Sequence, residues 1–124
     1  RSEPAALHVL YVEDNADAAD AMRYALTTLG WTMTHAATCA RARELVHEHG
    51  ESFDVILADL GLPDGSGLEL GKELCEHLPV VALTAYGAPL VMQGFTHQLI
   101  KPAEISEVQR ALLRAVAVHQ RTRL

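Results

Sequence analysis

The chain has 124 residues, a length that fits one domain better than two, and carries 10 basic against 16 acidic side chains for a formal charge of −6. Hydrophobic residues make up 49% and charged residues 21%, the balance of a globular domain that buries its own core and too apolar for a disordered chain. The acidic sum argues against a nucleic-acid or anionic-membrane surface, both of which need clustered Lys and Arg.

The start, Arg1-Ser2-Glu3-Pro4, has no apolar segment behind a basic residue, so it does not read as a secretory signal, and the absent initiator Met points to a processed chain or a piece of something longer. Leu7–Val12 reads as a buried strand that stops at Glu13-Asp14-Asn15. Ala16–Leu29 places Ala19, Met22, Leu26 and Leu29 on one helical face, with Asn15 or Asp14 as cap and Gly30 as left-handed terminator. Trp31–Ala37 is a second, weaker strand. Thr38 caps a helix that carries Cys39, Ala42, Leu45 and Val46 inward and stops at Gly50.

Phe53–Ala58 is a strongly apolar third strand that ends at Asp59. Turn residues fill Gly61-Leu62-Pro63-Asp64-Gly65, and Ser66-Gly67-Leu68-Glu69 is a capping box for a helix aligning Leu70, Leu74 and Leu78. A fourth strand, Val80–Leu83, ends at Thr84. The segment Ala85–Gly94 is the least regular, since Pro89 can only begin a helix and Gly94 ends it within two turns. His97–Ile100 is a short fifth strand ending at Lys101-Pro102. A last helix from about Glu104 buries Ile105, Val108, Leu112 and Val116. No membrane-length apolar run occurs, and two distant cysteines, Cys39 and Cys75, read as reduced thiols of a cytoplasmic protein. Met22, Met33 and Met92 read as core filler.

Five strands separated by helices imply an α/β fold: a doubly wound parallel sheet in the flavodoxin-like order 2-1-3-4-5, helices on both faces, with one domain over 1–124 and a core of about 7–118. In such a sheet the strand C-termini share one edge, where ligands bind. Glu13-Asp14, Asp59, Thr84 and Lys101, separated by 45, 25 and 17 positions from Asp14 onward, are therefore expected around one pocket. Two bare carboxylates ~4 Å apart repel by about 4 kcal/mol at an effective dielectric of 20. Three with one Lys leave a charge near −2, a sum that a divalent, oxygen-seeking cation such as Mg²⁺ balances. A phosphoryl group can then approach, with Thr84 as hydroxyl donor, Lys101 as point cation and Asp59 as nucleophile.

Val12-Glu13-Asp14-Asn15, Leu57-Ala58-Asp59-Leu60-Gly61-Leu62-Pro63-Asp64-Gly65-Ser66-Gly67-Leu68, Leu83-Thr84-Ala85 and Ile100-Lys101-Pro102 resemble, in order, the motifs of the receiver domain of two-component response regulators. The resemblance covers about Leu7 to about Val118. It implies that Asp14 ligates Mg²⁺ directly and Glu13 through water, and that Gly61 lends a backbone carbonyl. It also implies that Asp59 accepts the phosphoryl group from a phosphohistidine of a kinase or phosphotransfer domain. Thr84 would bind the phosphoryl oxygen, Ala85 would keep the entrance small, and Lys101, held by a cis bond to Pro102, would pair with the phosphoryl group. As a stand-alone domain it would be no enzyme beyond taking up and losing its own phosphate, in the cytoplasm, with no membrane or nucleic-acid contact.

Two departures stand out. Thr84 to Lys101 is roughly one and a half helical turns short of the family's usual length, so the fourth helix should be a stub or absent. The aromatic usual three residues before the Lys is Gln98. Both fit a domain that passes or stores phosphate, as in a hybrid histidine kinase, rather than one that dimerises on that face. The competing functions are a degenerate receiver acting as an interaction scaffold, an aspartyl-nucleophile phosphohydrolase, and a flavin module. Such hydrolases place an Asp-x-Asp nucleophile pair on the first strand and need a cap. Here the nucleophile candidate follows the third strand and the length leaves little room for a cap, and Glu13-Asp14 would repel a flavin phosphate. His47 and His49 point to different helix faces, and His8, His35, His77, His97 and His119 show no ligand spacing, so the histidines read as surface groups, with His97 nearest the Lys101 strand. Tyr86 is placed at the pocket mouth.

Overall fold

The computed structural model describes residues 6–60, 67–85 and 94–122. In chain order it contains β1 (His8–Val12), α1 (Ala16–Thr28), β2 (Thr32–Ala36), α2 (Cys39–His49), a 3₁₀ turn (Gly50–Ser52), β3 (Val55–Asp59), α3 (Gly67–Leu74), β4 (Val80–Thr84), β5 (His97–Ile100) and α4 (Ile105–Thr122). All strand pairs are parallel, in the order β2-β1-β3-β4-β5, as the alternation of apolar runs and amphipathic segments requires.

Strand periodicity divides the core into two layers. Val9, Tyr11, Val55, Leu57, Val81 and Leu83 face α1 and α4, whereas Leu10, Val12, Ile56, Ala58, Val80 and Ala82 face α2 and α3. Burial on both faces explains why β1, β3 and β4 are apolar runs without polar alternation.

The helix ends follow their capping chemistry. Asn15 Oδ1 accepts from Ala18 N at 2.8 Å, so Asn15 and not Asp14 caps α1, and Thr38 Oγ1 accepts from Arg41 N at 3.0 Å to cap α2. Gly30 takes φ +83° after α1, a conformation that glycine adopts without strain. Gly50 has right-handed φ and ψ, and α2 passes there into the 3₁₀ turn rather than into a left-handed stop.

Two sequence expectations need correction. Trp31 precedes β2 and is 5% exposed, a core side chain outside the ladder. Ile105 is 37% exposed instead of buried, because α4 turns Val108, Ala111, Leu112, Ala115 and Val116 toward the sheet. The buried face of α4 centres on Val108, Ala111, Leu112 and Ala115, which leaves Ile105, in the first turn, at its margin. Ser66, the 61–65 turn, Tyr86, Pro89 and Met92 lie outside the described residues. Most of the expected fourth-helix stub does too, and among the described residues no helix stands between β4 and β5.

The β4–β5 region packs through Phe95, which is 2% exposed. A Cβ on Gly71 of α3 would collide with the Phe95 ring, and one on Gly94, at φ +97°, would meet Cys75 Sγ at 2.7 Å. Phe95 thus fills the α3-facing layer beside Leu70, Leu74, Val80 and Ala82. No helix among the described residues is long and apolar enough to cross a membrane.

Candidate functional site

The C-terminal ends of β1, β3, β4 and β5 bring the polar residues to one edge. Register places Tyr11 beside Leu57 and Val12 beside Ala58, so Glu13 and Asp59 leave neighbouring strands side by side. One carboxylate oxygen from each of Glu13, Asp14 and Asp59 lies within 4.8 Å of the others. Glu13 and Asp59 are 4% and 8% exposed, while Asp14 faces solvent. Lys101 Nζ stands 3.1 Å from Asp59 Oδ2. Thr84, also buried, ends β4 one position past the Leu83 that pairs with Asp59, and its carbonyl accepts from Lys101 N at 2.8 Å. The Lys101-Pro102 bond is cis, as expected. Gly61 falls outside the described residues.

Glu13 is held at four points. Its N–H donates to Ala36 O at 2.9 Å, and its carbonyl accepts from His35 Nε2 at 2.6 Å. Its carboxylate accepts from the Tyr11 hydroxyl at 3.0 Å on Oε1 and from Asn15 N at 3.2 Å on Oε2. Burial pushes the Glu13 carboxyl above its usual range, the Asn15 amide pulls it back, and the Asp59 charge pushes it up again. Burial first, then the Glu13 charge, drives the Tyr11 phenol well above its usual range, so it remains a protonated donor.

Among the described residues the donor set suits a hard cation: three carboxylates, two of them buried, with no sulfur or imidazole in the group. Two buried anions side by side with one half-exposed ammonium are a costly arrangement that such an ion relieves. Gly67 lets α3 begin tight against the end of β3, since a Cβ there would meet Asp59 O at 2.5 Å.

Two residues that support the site, Tyr11 and His35, carry no site signal in the sequence. Tyr11 reads as strand core, and only its i, i+2 relation to Glu13 signals that both face one side. The histidines are not uniformly surface groups. His35 bonds to the Glu13 carbonyl, and His8 bridges Ser52 O at 2.8 Å and Thr34 Oγ1 at 2.7 Å. Nδ1 of His97 is buried with no hydrogen-bond partner among the described residues, and burial, then the nearby Arg114, lowers its pKa. His47, His49, His77 and His119 line an open groove of about 1180 Å³ that also takes in Phe53 and Pro79, at the sheet edge opposite the acids.

The family model for the response regulator receiver domain matches residues 9–113. The two-component response regulator ARR12 of Arabidopsis thaliana is 31% identical over 115 residues, covering 86% of this chain and 19% of that protein. The photosynthetic apparatus regulatory protein RegA of Rhodobacter capsulatus is 33% identical over 113 residues, covering 85% of this chain and 60% of its own length. The chain thus spans about a fifth of the plant regulators it matches. A response regulator receiver domain protein from Clostridium thermocellum superimposes with a TM-score of 0.84 at 23% identity, over 92% of this chain and 97% of that one. Fold, edge geometry and family match agree: the chain belongs to the response regulator receiver domain family of two-component signalling.

Proposed function

We propose that the whole chain, 1–124, is one receiver unit that takes a phosphoryl group onto Asp59 from a phosphohistidine of a histidine kinase or phosphotransfer domain. The observation that carries this is Lys101 Nζ 3.1 Å from Asp59 Oδ2, with Glu13 and Asp14 closing the same cluster. Asp59 supplies the nucleophilic oxygen: its bond to phosphorus forms as the phosphorus–nitrogen bond of the donor breaks. Lys101, already directed at Asp59, takes its charge to the incoming phosphoryl oxygens, and Thr84 at the end of β4 offers them a hydroxyl. Glu13, Asp14 and Asp59, with the Gly61 carbonyl, are the groups that would hold Mg²⁺. When bound, that ion offsets the charge between the acids and the phosphoryl group.

The same residues govern loss of the phosphate, so the domain turns over its own modification and no external substrate. Gln98, half-buried on the strand face that leads to Thr84, replaces the expected aromatic. That favours a domain that relays or stores phosphate, as within a hybrid kinase. Reduced Cys39 and Cys75 fit the cytoplasm.

The test is incubation with a small acyl phosphodonor and Mg²⁺, with an acid-stable, base-labile phosphate expected. Asp59→Asn and EDTA should each abolish it. Label surviving either control contradicts the assignment, and no label on a folded domain would favour an interaction scaffold.

A further inference from the structure

We propose that Tyr11 is a positioning residue for the acidic cluster: its buried hydroxyl, 3.0 Å from Glu13 Oε1, fixes the Glu13 carboxylate in the orientation that receives the cation. This rests on the reading of the site as a Mg²⁺ centre. Tyr11 is 2% exposed and faces the α1/α4 layer, two residues before Glu13 on the same side of β1. Register sets it beside Leu57, so the phenol lies beneath both strand-end carboxylates.

The two oxygens of Glu13 are thereby treated differently. Oε2 is held from the turn by Asn15 N at 3.2 Å, and Oε1 from the core side by Tyr11. Removing the second bond leaves the Glu13 carboxylate held only by Asn15 N and by its contact with the Asp59 carboxyl, which does not fix it from the core side. Its carboxylate can then rotate away from Asp14 and Asp59, and its buried Oε1 loses the donor that stabilises its charge. Asp14, by contrast, is exposed and can adjust to an ion. The cluster therefore combines one immobile carboxylate with one adaptable one, and Tyr11 is what makes Glu13 immobile.

The experiment is a calorimetric Mg²⁺ titration of the chain, its Tyr11→Phe and Glu13→Gln variants and the double variant. Tyr11→Phe should weaken Mg²⁺ binding about tenfold, as expected for losing a buried hydrogen bond to a charged group. The rate of labelling by the small phosphodonor at saturating Mg²⁺ should stay unchanged. In the Glu13→Gln background, Tyr11→Phe should add nothing. Should Tyr11→Phe not fold, Tyr11→Leu, which also removes the hydroxyl and leaves Glu13 unchanged, carries the same expected loss. Equal Mg²⁺ affinity in the original and Tyr11→Phe chains, or an undiminished loss in the Glu13→Gln background, overturns the proposal. If the original chain binds no Mg²⁺, the reading of the site falls first and this proposal falls with it.

Discussion

On the β1–β3 side of the site, the buried carboxylate of Glu13 has fixed neighbours. Glu13 is bonded to Tyr11, Asn15, His35 and Ala36, and the strands that carry it and Asp59 are buried on both faces. On the β4–β5 side the support is thinner. β5 is half-buried, Ile100 is 53% exposed, and Lys101 reaches Asp59 with 41% of its side chain still open to solvent. Rigidity is needed where the charge is buried. Buried carboxylates must keep their donors or lose their charge, whereas a cation that meets a phosphoryl group can do so from a solvated stem.

The largest expected effect tests whether Phe95 truly supports the thinner side. Phe95→Ala should lower stability by about 3–5 kcal/mol, as for other large-to-small core changes, read by urea unfolding. Gly71→Ala should cost about 1–3 kcal/mol by overpacking, and less in a Phe95→Leu background, where the ring it strikes is gone. A Phe95→Ala variant as stable as the original chain would mean that the ring is not what closes the α3-facing layer.

That pair also shows what was legible in the sequence and what was not. Strand identity, sheet order and the convergence of Glu13, Asp14, Asp59 and Lys101 follow from apolar runs that end at polar residues, because a parallel sheet puts those ends on one edge. The Gly71–Phe95 contact joins residues 24 positions apart and leaves no local pattern. Ile105 misled because Ala111 and Ala115, though small, set the buried face of α4. Tyr11 was legible as buried but not as a donor, since alternation gives the face and not the partner.

An intermediate effect sharpens the β1–β3 side. The Glu13 carboxyl sits above its usual range in the fold, so without a divalent ion its contribution favours the folded state at low pH. That contribution is lost as pH rises through the folded value. Mg²⁺ competes with that proton. Its stabilisation should therefore be absent below the ordinary carboxyl range and grow with pH, reaching about 2.7 kcal/mol at a hundredfold excess over Kd. Thermal unfolding with and without Mg²⁺ across pH measures it. A pH-independent Mg²⁺ shift would remove Glu13 from the cluster's chemistry.

The smallest effect on stability belongs to Lys101. Its side chain is 41% open to solvent but the Asp59 side chain it meets only 11%, so the pair should contribute about 1–2 kcal/mol, and Lys101→Met should lower the urea midpoint modestly while labelling by the phosphodonor falls sharply. A large loss of stability would make Lys101 a structural counter-charge instead.

The most direct measurement is to map the modification. After exposure to the phosphodonor and Mg²⁺, borohydride reduction converts an aspartyl phosphate to homoserine, which peptide mass spectrometry locates. Phospho-acceptance by Asp59 predicts homoserine at position 59, only with Mg²⁺ present. Homoserine at another aspartate, or at position 59 in EDTA, would contradict it.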